Sequence, residues 1–155
     1  MSDHERRHDA KPPMGLCVRS AAIEDEQAVV ALWRACGLVA PYNDPTADFR
    51  FAKAGPNSDV LVGQDDAGEI VGSVMVGHDG HRGWLYYAAA HPAARNKGVG
   101  GRMIQAAEDW LRQRNVVKAQ LLIRETNTGV VGFYERLGFE LAPRVVMSKW
   151  LRKTS

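Results

Sequence analysis

Cysteine is scarce in this chain, and its scarcity removes two architectures at once. Cys17 and Cys36 are the only two, and they stand in no CxxC pair and no Cys/His cluster. A disulfide framework and a structural zinc site are both excluded, and two reduced, mostly buried thiols are expected instead. Long apolar runs are missing too: none approaches the roughly eighteen residues of a membrane-spanning helix, and Met1 to Gly15 has no apolar core of the secretory-signal kind. A cytoplasmic protein without a membrane partner is expected. Nor is there an excess of charge of one sign. Twenty Lys and Arg against eighteen Asp and Glu leave +2, too little for a protein whose main task is gripping phosphates of nucleic acid. The basic residues form no stripe and the aromatics, 8% of the chain, no stacking platform, so no nucleic-acid partner is expected.

What is present describes a globular domain. A length of 155 residues fits one hydrophobic core, and 45% apolar with 25% charged residues is an ordinary globular balance. The first fifteen residues are dense in charge, end in Pro12-Pro13, and offer only Met1, Ala10 and Met14 as apolar surface. Residues 1–15 therefore read as a flexible tail ahead of a domain over 16–155. Met14, directly before the first apolar stretch, is an alternative start to Met1.

From Leu16 the pattern is regular. Leu16-Cys17-Val18 reads as a strand, and Glu24-Asp25-Glu26 opens a helix in which Val29, Leu32, Trp33 and Cys36 recur at helical spacing before Gly37. A short helix over 46–54 follows the loop from Pro41 to Pro45. Val60 to Val62 and Ile70 to Val76 form a hairpin around Asp65-Asp66-Ala67-Gly68, and a tight connection from His78 to Gly83 leads to a strand over 84–90. Between Gly98 and Arg114 the residues Val99, Met103, Ile104, Ala107, Trp110 and Leu111 share one helical face. A strand over 116–123, a helix over 128–137 closed by Gly138, and strands over 139–141 and 145–150 complete the order βααβββαβαββ. The strands flanking the long helix should be parallel, which makes an α/β (α+β) fold with a central, mixed, mostly antiparallel sheet and about four helices.

Chemistry concentrates before the long helix. In His91-Pro92-Ala93-Ala94-Arg95-Asn96-Lys97-Gly98-Val99-Gly100-Gly101, glycines let backbone N–H groups approach an anion and the helix dipole adds positive character. A dinucleotide fingerprint would need glycine where Met103 stands, and a triphosphate loop would need lysine after its last glycine. What fits is Arg-x-x-Gly-x-Gly after a strand and a Pro. Together with Asn127 and Phe133-Tyr134-Glu135-Arg136-Leu137-Gly138-Phe139 downstream, this turn resembles the acetyl-coenzyme A motif of the GNAT superfamily of N-acetyltransferases. Asn43-Asp44-Pro45 and Gly80-His81-Arg82-Gly83 are similar to a branch of small bacterial members.

The resemblance implies a cosubstrate, acetyl-coenzyme A, with its pyrophosphate on the amides of Arg95, Asn96, Lys97, Gly98, Val99, Gly100 and Gly101. It implies that the pantetheine arm pairs with the backbone of Ala88, Ala89 and Ala90, and that Asn127 and Tyr134 contact the cofactor. For Asn127 a plain helix N-cap is the alternative, and for Tyr134 packing beside Val130 and Leu137. Tyr134 would stabilise the departing thiolate or donate its proton. The activity implied is acetyl transfer to a primary amine of a peptide N-terminus, a lysine or a small molecule, by direct attack in a ternary complex. A non-catalytic acyl-coenzyme A sensor of the same fold is the alternative. The base that neutralises the amine is Glu125, or Asp79 or His81 in the hairpin turn. Leu122 occupies the strand position where bacterial N-terminal protein acetyltransferases often carry an activating glutamate, which counts against a simple transfer of that activity. The histidines of His78-Asp79-Gly80-His81 lack a third neighbour, so no metal is expected. Trp33, Tyr42, Asp44, Phe49 and Phe51 are candidate linings of an acceptor pocket, and the protein is expected as a monomer or homodimer.

Overall fold

The computed structural model describes residues 15–152, so the expected tail, apart from Gly15, lies outside the described residues. The elements are β1 (Cys17–Ser20), α1 (Glu26–Ala35), α2 (Pro45–Ala54), β2 (Ser58–Gln64), β3 (Ile70–His78), β4 (Gly83–Ala90), α3 (Val99–Arg112), β5 (Ala119–Leu121) and α4 (Val131–Arg136). The strands form one five-stranded sheet in the order β1-β2-β3-β4-β5. Its first three pairings are antiparallel and β4 with β5 is parallel, the change of direction that a crossover through α3 requires. The chain divides into two compact units, one ending at Leu121 and one beginning at Leu122. Among the described residues no helix is long and apolar enough to cross a membrane.

Local chemistry accounts for where the elements begin. Asp44 caps α2 by accepting the Ala47 N–H at 3.1 Å, and Pro45, whose missing N–H costs nothing there, takes the first helical position. Asp25 accepts the Ala22 N–H at 2.7 Å ahead of α1 and pairs with Arg19 at 2.6 Å. In the β2–β3 turn the Asp65 carboxylate holds the N–H groups of Ala67 and Glu69 while Gly68 takes the left-handed φ of 84°.

The sheet is covered on both faces. On one, Val60 and Val62 of β2, Ala89 of β4, Val29, Leu32 and Trp33 of α1, and Phe49 and Ala52 of α2 make one buried cluster. On the other lies α3, and all six residues of its expected face are buried. Glycines let that helix come close: a Cβ on Gly72 would stand 2.6 Å from Val99 Cγ1, and one on Gly83 would stand 2.5 Å from Leu111 Cδ1.

Several expectations need correction. β5 spans Ala119–Leu121 rather than 116–123. The final two strands of the expected order are not formed, since 139–150 carries no strand and Leu141, Val145 and Met147 are exposed. Apolar runs such as Val145 to Met147 signal strand character, but a strand exists only where a neighbour completes its ladder. Cys17 is exposed because it opens the edge strand β1, and Cys36 is half-buried, so neither thiol is the core residue expected.

Candidate active site

The site grows from the second half of β4. The parallel ladder with β5 runs from Gly83 to Leu85 and stops, while β3 continues beside β4 to Ala90. Among the described residues no further strand pairs with the far edge of Ala88, Ala89 and Ala90. Within residues 86–90 Met75 faces Tyr86 and Ser73 faces Ala89, so Tyr87 and Ala88 together oppose the single residue Val74. This two-against-one count is a β-bulge, a device that bends a strand and re-aims its edge. Tyr87, its first residue, has φ 49°.

After Ala90 the chain makes a 3-10 turn, Pro92–Ala94, capped by the His91 ring, whose Nδ1 accepts the Ala93 N–H at 3.0 Å. Asn96 and Gly98 then both take left-handed backbone, with φ 65° and 78°. Asparagine tolerates that conformation, so its presence in place of a glycine leaves the turn intact. Gly98 is the N-cap of α3, and no side chain caps the helix there. The first-turn amides of Val99, Gly100 and Gly101 thus point outward without a side-chain acceptor. No acidic residue sits in that turn, although helices favour one there, and exposed Arg95 and Lys97 flank it. This is an uncompensated positive pole. The expected cofactor residues Ala88, Ala89, Ala90 and Arg95 to Gly101 are thereby brought together in one continuous strand, turn and helix start.

Leu122, Glu125, Asn127 and Tyr134 belong to the second unit. Glu125 opens a 3-10 stretch, Glu125–Val130, in which Asn127 departs from helical backbone (φ −115°, ψ 47°). Asn127 is exposed, and Val130 rather than Asn127 is the N-cap of α4, so the helix-cap alternative is not met. Tyr134 packs edge-to-face on Phe133 and Phe139 at ring distances of 5.0 and 5.7 Å. Burial pushes its phenol above the ordinary value. Glu125 is exposed, and Leu122 is 52% exposed just past β5.

The hairpin candidates fare differently. Asp79 accepts the N–H groups of Arg82 and His81 at 2.7 and 2.9 Å, and these bonds hold its carboxyl below the usual range. A carboxylate so stabilised is a poor base and a good turn residue. Among the described residues no group of three or more His, Cys, Asp and Glu is arranged to hold a metal ion. Two suggested pocket linings are core instead: Trp33 and Phe49 are 0% and 1% exposed. Phe51 lies 86% exposed on α2, and Asp44 is spent on its cap. The sequence reading missed Tyr87, Ser73 and Asp48. Tyr87 interrupts no periodicity, and Asp48 looks like a routine acidic residue in a helix's first turn.

Known proteins resemble this chain in sequence and in fold. The sequence model of the acetyltransferase (GNAT) family matches residues 26–139. An acetyltransferase of Pectobacterium atrosepticum is 40% identical over 128 residues, which cover 83% of this chain and 90% of the relative. One of Sodalis glossinidius is 37% identical over 124 residues, covering 80% and 87%. Among solved structures, AAC(6')-Iy in complex with the bisubstrate analogue CoA-S-monomethyl-acetylneamine aligns with TM-score 0.75 at 17% identity, over 87% of this chain and 97% of that one. A predicted acetyltransferase from Clostridium acetobutylicum, solved with acetyl-CoA, aligns with TM-score 0.70 at 16% identity, over 86% and 96%. At such identities these two establish likeness of fold.

Proposed function

We propose, from the premise that the chain belongs to the GNAT acetyltransferase family and is an acetyl-coenzyme A-dependent acyltransferase, that it moves acetyl to a primary amine by direct attack in a ternary complex. The observation that carries the reading is the uncapped, acid-free N-terminus of α3 opened by left-handed Gly98, one turn after the Ala88 to Ala90 edge of β4, with which no further described strand pairs. Acetyl-coenzyme A brings an activated thioester. This chain's part is to hold it: amides of Val99, Gly100 and Gly101 on the pyrophosphate with Arg95 and Lys97 beside them, and backbone groups of Ala88 to Ala90 on the pantetheine arm.

Asn127 is assigned to the cofactor arm and Tyr134 to the sulfur. A free thiol has a pKa of about 8.5 and a tyrosine about 10, so full proton transfer to the thiolate is uphill by about 2 kcal/mol before burial raises the phenol further. Tyr134 therefore acts chiefly as a hydrogen-bond donor to developing thiolate charge. The amine must arrive neutral; an α-amine of pKa about 7.8 is roughly a tenth neutral at pH 7, whereas a lysine of pKa about 10.4 is neutral at only about 0.04%. Glu125, directly or through a water, is assigned as the base. The aminoglycoside amine of one structural neighbour's bisubstrate analogue supports a small-molecule amine among the acceptors to be screened.

Gly100→Asp tests the placement. A carboxylate at the second helical position favours the helix itself, so the fold is kept while the anion is repelled. Calorimetry should show loss of acetyl-coenzyme A binding with an unchanged or higher melting temperature. Wild-type affinity in the folded variant would refute the assignment.

A further inference from the structure

Tyr87 stands where glycine would fit more easily. Its φ of 49° is disfavoured for any residue with a Cβ, and the first position of such a bulge is one that glycine fills readily. What tyrosine contributes there is its side chain. The ring stacks on Trp33 with centroids 4.0 Å apart and planes 11° from parallel. The hydroxyl donates to Asp48 Oδ2 at 2.7 Å, tying the bulge to α2 across 39 positions of sequence. From the sheet side, the Ser73 hydroxyl donates to the Tyr87 carbonyl at 3.3 Å and accepts the Trp33 Nε1–H at 2.8 Å. Ser73 and Trp33 are both 0% exposed, so water does not compete for these bonds. The ring, the carbonyl and the hydroxyl of a single bulge residue are each held by a different element.

We propose that Trp33, Ser73, Tyr87 and Asp48 form a clamp that sets the β4 bulge and thereby aims the open backbone edge of Ala88 to Ala90 at the arm of acetyl-coenzyme A. These are positioning residues, since none of them is assigned a contact with the cosubstrate. The inference rests on the reading that this edge pairs with the cofactor. Its pin is the hydroxyl–carboxylate bond, which fixes the torsion of a strained residue and keeps the edge groups in one register. Loss of the pin leaves the core in place, because Trp33 and Phe49 remain packed, but frees the bulge to relax.

The test is calorimetric titration of the full-length chain with acetyl-coenzyme A. Tyr87→Phe keeps the ring and removes the hydroxyl, and Asp48→Ala removes the acceptor from the α2 side. Each should weaken binding about tenfold, the low end of the worth of a hydrogen bond to a charged group. The double variant should be no weaker than either single, because both remove the same bond. Asp48→Asn, whose amide oxygen still accepts from a phenol, should bind within about twofold of wild type. Wild-type affinity in folded Tyr87→Phe and Asp48→Ala overturns the clamp while leaving the cofactor assignment standing, as does a double variant weakened by the product of the two effects. Should the wild type itself not bind acetyl-coenzyme A while remaining folded, the cofactor edge and the clamp both fall.

Discussion

Tyr134 shows how environment selects a role for one side chain. Its ring is held between Phe133 and Phe139, and burial raises its phenol above the ordinary tyrosine value, so the hydroxyl is protonated throughout the neutral range. Tyr134→Phe keeps the packing and removes only the donor. Its kcat should fall on the order of 10²–10⁴-fold while acetyl-coenzyme A affinity stays within about twofold, measured as thiol release in single turnovers. A kcat within about twofold of wild type, with chemistry limiting, would assign sulfur protonation to water or substrate. The same reasoning gives the alkaline limb of the rate profile its sign: any loss of kcat that comes from ionising Tyr134 appears at more alkaline pH than for an ordinary phenol and is absent from Tyr134→Phe.

At the scale of elements, the packing of α3 on the sheet is set by glycines as much as by the apolar stripe. The missing Cβ of Gly83 is what lets Leu111, 2% exposed, seat against β4. Gly83→Ala forces atoms to 2.5 Å and should cost about 1–3 kcal/mol in a denaturant titration. Combined with Leu111→Ala, which alone should cost about 2–5 kcal/mol, the loss should be clearly less than the sum, since the new methyl enters the space vacated. On the opposite face the strand-to-helix passage between β1 and α1 depends on Asp25. Its carboxyl lies below the usual value because Arg19 hydrogen-bonds to it and the Ala22 N–H adds to that. A depressed carboxyl stabilises the fold above its unfolded pKa of about 4, and that stability is lost as pH falls through the folded value. Asp25→Asn should therefore lower the melting temperature at pH 7 and flatten its decline below pH 4. Parallel wild-type and variant curves would show that the pair contributes nothing measurable.

For the whole molecule, a net charge of +2 means that attraction for an anionic cosubstrate has to be local, and under the proposed assignment the uncapped end of α3 with Arg95 and Lys97 would supply it. The sequence-derived boundary between a tail and a domain over 16–155 yields its own prediction. Residues 1–13 offer almost no apolar surface with which to offset the entropy of ordering. Deleting them should leave both the melting temperature and the acetyl-coenzyme A affinity unchanged. A drop in either would show that the segment docks on the domain.

Periodicity and turn chemistry are local properties, and whatever depends on them was legible from residues alone. The buried face of α3 from Val99 to Leu111, the Asp65–Gly68 turn, the Gly37 and Gly138 helix ends and the glycine turn at Gly98 all follow from neighbours within a few positions. Tertiary structure decided what depends on partners far along the chain. Phe49 and Phe51 are two residues apart, yet one is core and the other bare, because the direction in which α2 meets the sheet chooses between them. Phe139 to Leu141 and Val145 to Trp150 have strand-forming composition and form no strand, since a ladder needs a second strand. The bulge at Tyr87, and the bonds joining it to Asp48 and joining Trp33 to Ser73 across 40 positions, exist only once β3, β4, α1 and α2 are assembled. Motif spacing thus points to the family, while the β4 edge proposed to receive the cofactor is shaped by contacts that spacing does not encode.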